Sequence, residues 1–171
     1  TSLKFSLKNK SFRIFIIMNV AYWYVVGMLP MVAPLYGSIV LDISDAMLLG
    51  ILLGLAFISA ACFMALWRFI IGKFGMKKGV EISMVVFIIS LAPFMFIFDL
   101  TTAFIAFIFV GIGISGAIYF GDILLAAIID EDELTTGTRR DGGYYGINAL
   151  LTKLSTILVI LSINVVFNSV G

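Results

Sequence analysis

The stretch "IIDEDELTTGTRRDGGYYGINALLTKLSTIL", Ile128 to Leu158, joins two long apolar runs through a short and highly charged connection. The connection holds four consecutive acidic residues followed by two arginines, and a single lysine, Lys153, lies inside the second apolar run. Long apolar runs with charges gathered between them are typical of helical proteins that cross a membrane several times. The stretch therefore predicts two membrane-spanning helices and a charged turn between them.

The composition of the whole chain also indicates a membrane protein. Hydrophobic residues make up 62% of the chain and charged residues only 12%, whereas soluble domains are about half apolar and about a quarter charged. The net charge of +1 leaves no basic surface for nucleic acid once the charges lie between apolar runs. A single cysteine, Cys62, and no histidine exclude an internal disulfide and a zinc-type cluster. No nucleophile–base pair is visible, so we expect neither a metal site nor an enzyme.

Five segments are long and apolar enough to cross a bilayer, so we expect an all-α membrane protein. They are residues 14–41, 46–71, 80–98, 102–129 and 143–167. Pro30 and Pro34 predict a kink in the first span, and Pro93 predicts one in the third. Because five spans end on the side opposite to their start, we expect a piece of a longer protein that lacks at least one downstream helix.

The basic residues between the spans predict the orientation of the chain. Ten of the eleven Lys and Arg residues fall on one side of the predicted spans: Lys4, Lys8, Lys10, Arg13, Arg68, Lys73, Lys77, Lys78, Arg139 and Arg140. The other side carries Asp42, Asp45 and Asp99. By the positive-inside rule the basic side is cytoplasmic. We therefore expect a multi-pass protein of the cell membrane with a cytoplasmic N-terminus.

Small residues inside the spans predict close contacts between helices. "GIGISG", with Gly111, Gly113 and Gly116, matches a dinucleotide-binding fingerprint, but it lies inside an apolar helix with no strand before it. Close helix packing is the better interpretation. Gly50 and Gly54 form a GxxxG pattern on the second span, which also predicts a helix contact.

Lys153 is the one basic residue outside the junctions, and a lysine near the membrane midplane costs about 2.5–3.5 kcal/mol. Asn148 and Thr152 lie on an adjacent stripe of the same helix, so this face predicts a polar pathway for substrate or coupling ion. A structural ion pair that locks two helices is the alternative. Asp122 is a candidate partner that shares a helix face with Tyr119, although it fits a helix-end charge reaching water equally well.

Aromatic and amide side chains on the first span suggest a second part of that pathway. Asn19, Tyr22 and Trp23 follow helical spacing. Aromatic rings beside amides suit sugars, which offer both apolar C–H faces and hydroxyls. Ordinary aromatic packing is the alternative interpretation.

The charged connection predicts ion pairs that close the cytoplasmic side of a transporter. Its acids come first and its arginines second: Asp130, Asp132, Glu133, Arg139, Arg140 and Asp141. The alternative is a solvated turn, because exposed pairs contribute little by themselves.

The stretch "AAIIDEDELTTGTRRDGGYYGINALLTKLS" resembles the loop and eleventh helix of the melibiose-permease-like glycoside–pentoside–hexuronide:cation symporters, which belong to the major facilitator superfamily. "WRFIIGKFGMKKG" resembles the loop after their eighth helix, which adds Arg68 and Lys73 to the cytoplasmic gate or ion pairs. "LKNKSFRIF" is similar to the start of their seventh helix. The resemblance implies five helices, seven to eleven of twelve, from the C-terminal half of a major-facilitator-type bundle. Ala127 replaces an acid that is frequent in the family.

The resemblance also implies what the protein does. The family carries sugars, glycosides or uronides together with H⁺ or Na⁺ by alternating access, and its mid-helix lysine corresponds to Lys153. The expected partners are the lipid bilayer, the N-terminal half of the same transporter and a small-molecule substrate, a sugar. The coupling ion is the only cofactor expected. A transporter of lipids or other amphipathic solutes and a non-transporting membrane scaffold remain the alternatives.

Overall fold

The computed structural model describes residues 6–39 and 45–170 of the chain. Lys4, Asp42 and the expected end of the first span at Leu41 lie outside these residues. The described part consists of helices α1 (Lys10–Ile39), α2 (Ala46–Phe74), α3 (Met76–Leu91), α4 (Leu100–Thr136) and α5 (Asp141–Val170), with a 3₁₀ helix over Ala92–Phe96. No strand occurs in it, and five helical segments are long and apolar enough to cross a membrane. The predicted all-α membrane fold is therefore confirmed.

The ends of the helices follow local backbone rules. Gly75 has φ 80° and its N–H bonds to the Ile71 carbonyl at 2.8 Å, so glycine ends α2 in a conformation that other residues rarely adopt. Gly137 ends α4 in the same way with φ 70°. Pro93, at the start of the 3₁₀ segment, has no N–H to continue an α-helix, so α3 stops at Leu91.

The chain divides into two compact units. The first contains the described residues up to Met28 and those from Gly121 onward, and the second contains the described residues from Leu29 to Phe120. The core of the first unit lies where the start of α1, the end of α4 and the start of α5 meet. It consists of seven buried side chains: Phe12, Phe15, Leu125, Ile128, Ile129, Tyr144 and Ile147.

The glycines of α4 allow close packing in the second unit. A Cβ on Gly111 would overlap the Ala56 carbonyl, and a Cβ on Gly113 would lie 2.9 Å from the Cα of Phe87. A Cβ on Gly116 would similarly lie 2.7 Å from the Cβ of Ser83. The close-packing interpretation of "GIGISG" is therefore confirmed, because the helix faces touch where α4 has no side chains.

The GxxxG pattern on α2 behaves differently. A Cβ on Gly50 or Gly54 would meet no atom within 4 Å, so the predicted helix contact does not form among the described residues. Ser59, one turn further along α2, makes the contact instead: its hydroxyl donates to the Ile108 carbonyl of α4 at 3.1 Å. A GxxxG pattern permits a close approach of two backbones but does not require one.

Candidate functional site

The charged turn between α4 and α5 contains an exposed cluster around Arg139. The guanidinium lies 2.9 Å from Asp141, 3.1 Å from Glu133 and 3.7 Å from Asp130, and its side chain is 57% exposed. The hydrogen bond to Asp141 is the largest cause of a raised pKa at Arg139, and the negative charges of Asp141 and Glu133 add to it. The cluster therefore fixes the shape of the turn, but water screens its pairs.

Arg140 forms a second and more deeply placed ion pair. Its Nη1 lies 3.5 Å from Oδ2 of Asp132, and the two side chains are only 21% and 12% exposed. Asp132 also interacts with the hydroxyl of Tyr144, a fully buried residue of the core. The same hydroxyl accepts a hydrogen bond of 3.4 Å from the Asn9 side chain just before α1. This polar group, Asn9, Asp132, Arg140 and Tyr144, thus joins three elements at one end of the unit.

The remaining predicted gate residues do not join these pairs. Arg68 and Lys73 lie on α2 in the other unit, and both are exposed. The Nζ atom of Lys73 lies 5.4 Å from the ring centroid of Phe74. Neither residue forms an ion pair within residues 6–39 and 45–170.

A polar contact deeper in the first unit connects α1 with α5. The side chain of Asn19 donates a 2.7 Å hydrogen bond to Oδ1 of Asn148, and Asn19 is only 7% exposed. The Thr152 hydroxyl, one turn along α5, donates to the backbone carbonyl of Asn148 at 2.8 Å. The structure thus brings together three predicted site residues from two helices.

The three aromatic residues of the candidate site differ in how much of each side chain is exposed. Tyr22 is buried, while Trp23 is 40% exposed and meets Tyr22 edge to face with 6.0 Å between ring centroids. Tyr119 is half-buried in the second unit, where its ring packs edge to face against Phe120 at 5.4 Å. Of the three, Trp23 offers the most surface for a ligand.

Lys153 and Asp122 are both exposed on membrane-spanning helices of the first unit. No ion pair joins them, and within the described ranges neither forms an ion pair with any other residue. Lys153 lies twelve residues after Asp141, which begins α5, or roughly 18 Å along the helix. A mid-helix charge with no partner on its own unit needs water, a ligand or another protein segment.

Sequence reasoning missed several residues of this arrangement. Tyr144 was an aromatic residue next to a glycine pair, and Asn9 was part of a basic segment, so neither pattern indicated a shared hydrogen bond. Tyr24 donates a 2.8 Å hydrogen bond to the Ser162 hydroxyl, which adds a second polar contact between α1 and α5. The helical spacing of Asn19 and Tyr24 does not put them on one face, and that explains why Tyr24 was overlooked.

Comparison with known proteins gives a family. The family model described as MFS/sugar transport protein matches residues 1–171 of the chain. The chain belongs to this family. A search of curated proteins found no match, and neither did a search of solved structures. Membership of the MFS/sugar transport family indicates a multi-pass major-facilitator transporter, which agrees with the five apolar helices of the described residues.

Proposed function

We propose that the chain is the C-terminal half of a secondary transporter that moves a sugar, glycoside or uronide together with H⁺ or Na⁺ by alternating access. The observation that carries the proposal is the position of Lys153. It is an exposed cation in the middle of a membrane-spanning helix, and it has no ion-pair partner among the described residues. Such charges in membrane helices usually face a bundle interior or a water-filled cavity.

The chemistry of Lys153 fits a sugar ligand. An ammonium group carries three donors, which can bind hydroxyls, or a carboxylate if the sugar is a uronide. Because the side chain is flexible, its charge can alternatively be balanced by an acid of the opposite half of the transporter when no sugar is bound. A change of partners during the cycle would connect substrate binding with the movement of the two halves.

Neighbouring side chains on α1 and α5 support this role. The 2.7 Å bond between Asn19 and Asn148 holds the two helices together at the level of the proposed pathway. The amide of Asn148 keeps donor capacity, because only its oxygen is used in that bond. The exposed face of Trp23 can stack on the apolar face of a sugar ring.

Asp122 is the proposed cation-binding group of this half. It is exposed and unpaired within the described residues, although it lies on a membrane-spanning helix. Its carboxylate can hold a cation, and alternating exposure to the two sides of the membrane would let it bind the cation on one side and release it on the other. The coupling ion would be H⁺ or Na⁺.

The charged turn is proposed to strengthen the cytoplasmic end of the transporter. The Arg140–Asp132 pair connects α4 with α5, so this end of the unit would move as one piece. The exposed Arg139 cluster leaves charges at the surface for contact with the opposite half. The N-terminus of the chain lies on the same side as this turn in the proposed orientation.

Uptake by the full-length transporter tests the proposal. Cells that express it are given a panel of labelled hexoses, pentoses, a disaccharide and a hexuronate, with a proton or a sodium gradient imposed. We expect accumulation of at least one of these sugars that collapses with one of the two gradients. Lys153→Leu should abolish it while the variant still reaches the membrane in normal amount.

The matched control is Lys77→Leu, which removes an exposed lysine at the start of α3. This variant should keep most of the uptake. Full uptake by Lys153→Leu would overturn the role of Lys153. Failure to accumulate any sugar of the panel under either gradient would instead overturn sugar symport and favour a lipid-like cargo.

A further inference from the structure

An open cleft of about 380 Å³ lies in the first unit, at the end of the helices that carries the charged turn. Every residue that lines it is polar or charged. Lys8 lies just before α1 and Lys10 and Ser11 begin it. Asp132 lies near the end of α4, and Arg140 lies in the turn just before α5. Three segments that are distant in sequence thus form one recess whose lining residues all carry polar groups.

The charges of the cleft favour an anion. Its three cations, Lys8, Lys10 and Arg140, exceed its two acids, Glu131 and Asp132, by one. Asp132 is already paired with Arg140 at 3.5 Å. The exposed charged residues of the cleft are Lys8, Lys10 and Glu131. Its two lysines both lie beside α1, so the positive excess of the cleft is in this part.

The start of α1 adds partial positive charge to the same part. No acidic residue lies in the first turn of α1. The side chain of Asn9 accepts a bond from the Phe12 N–H at 3.2 Å, so the cap satisfies that donor. The Lys10 and Ser11 N–H groups precede the first possible intrahelical bond of the helix, and they add to its positive end. Ser11 brings a hydroxyl that can donate to an oxyanion.

The position of the cleft selects the kind of anion. The α1 segment that is apolar enough to cross a membrane begins at Lys10 itself. The cleft therefore lies where a spanning helix leaves the hydrocarbon, at the depth of the phosphates of the lipid headgroups. We propose that this cleft binds a phosphoryl group, with the ammonium groups of Lys8 and Lys10 and the Ser11 hydroxyl as its donors.

The bound phosphoryl group can belong to the headgroup of an anionic lipid or be free phosphate. The site does not depend on the proposed transport function, because Lys153 and Asn148 are not among the residues that line it. A ligand here would contact α1 directly and lie next to the Arg140–Asp132 pair. Its binding would thus stabilise the end of the unit where three helices meet.

Native mass spectrometry of the purified full-length transporter in detergent, titrated with phosphatidylglycerol, tests the proposal. The double variant Lys8→Gln/Lys10→Gln is compared with Lys77→Gln/Lys78→Gln, which removes the same charge from exposed lysines at the start of α3. Both double variants lose the same general electrostatic attraction to an anionic lipid. A difference between their lipid affinities therefore measures binding in the cleft. We expect Lys8→Gln/Lys10→Gln to bind phosphatidylglycerol about tenfold more weakly than Lys77→Gln/Lys78→Gln does, which corresponds to the loss of one charged hydrogen bond.

Two further measurements complete the test. Lys8→Arg/Lys10→Arg keeps both charges and should bind the lipid nearly as well as the native chain. Millimolar inorganic phosphate is then added: displacement of the lipid together with a higher Tm identifies free phosphate as a ligand. Lipid binding that persists in phosphate identifies the headgroup. Equal weakening in the two glutamine pairs, or no weakening in the first, would overturn the proposal.

Discussion

Arg140 and Asp132 face each other across the turn between α4 and α5, with 3.5 Å between Nη1 and Oδ2 and with both side chains mostly out of solvent. The preceding residue, Arg139, pairs with three exposed carboxylates instead. Two adjacent arginines therefore have different physical roles. One is held against the core beside Tyr144, whereas the other remains in water at the tip of the turn.

This difference predicts unequal effects of two similar substitutions. Asp132→Asn removes the charge that faces Arg140, so a largely buried guanidinium keeps its desolvation cost without the negative charge that offsets it. The free energy of unfolding should fall by about 1–3 kcal/mol. Glu133→Gln, the control in the same turn, removes an exposed partner of Arg139 and should cost about 0–1 kcal/mol. Thermal unfolding in detergent measures both, and equal losses would contradict the distinction between the two arginines.

Glycines on α4 and α2 predict two substitutions with opposite effects on stability. Gly113→Ala places a Cβ 2.9 Å from the Cα of Phe87, where the backbone of α3 must shift, and overpacking of this kind costs about 1–3 kcal/mol. Gly54→Ala meets no described atom within 4 Å and gains helix propensity, so it should stabilise the chain by about 0.5–1 kcal/mol. The melting temperatures of the two variants should therefore move in opposite directions. A drop in both would indicate that Gly54 is also packed.

The sequence was sufficient to predict the helices but not their contacts. Runs of apolar residues fix where helices can cross a membrane, and the glycines of "GIGISG" fix where α4 can be approached closely. The Arg140–Asp132 pair lies beside Tyr144, whose hydroxyl bonds to Asn9 from the opposite end of the sequence. Apolar patterning carries no signal for such a long-range contact. The same limit explains why the GxxxG pattern of Gly50 and Gly54 has no helix against it among the described residues. A small residue shows that a neighbouring helix can fit, but not that one is there.

The bond between Asn19 and Asn148 predicts an energetic coupling between α1 and α5. A double-mutant cycle with Asn19→Ala and Asn148→Ala should give about 0.6 kcal/mol, and at most about 1.7 kcal/mol, as for other hydrogen bonds between membrane helices. Asn164 lies on the same helix but bonds to its own backbone at Ile160, so the cycle of Asn19→Ala with Asn164→Ala should give no coupling. Melting temperatures of all the variants provide the data. A coupling that is as large in the control cycle would show that the 2.7 Å bond contributes nothing specific.

The start of α4 should depend on pH through Asp99. The Thr102 N–H donates to its carboxylate at 2.7 Å and the Thr102 hydroxyl donates at the same distance, and these bonds hold the pKa of Asp99 below its usual value of 3.8. Because the folded pKa is lowered, the cap stabilises α4 fully above the unfolded pKa and loses this effect as the pH falls through the folded pKa. Asp99→Ala should therefore speed hydrogen exchange in the first turn of α4 at neutral pH, and the difference from the native chain should vanish in strong acid. Thr101→Ala, whose side chain takes no part in the cap, is the control and should change exchange little at either pH.

The orientation of the chain can be tested by labelling on the two sides of the membrane. Phe98 suits a label on the side without Lys or Arg, because it is 78% exposed and its side chain takes no part in the cap at Asp99. Thr138 lies in the exposed turn beside the two arginines. In a Cys62→Ser background, which removes the exposed native thiol, a membrane-impermeant maleimide should label Phe98→Cys on intact cells and Thr138→Cys only after permeabilisation. The physical reason is the positive-inside rule, by which junctions with lysines and arginines are expected on the cytoplasmic side. Labelling of Thr138→Cys alone on intact cells would mean that the chain crosses the membrane in the opposite direction.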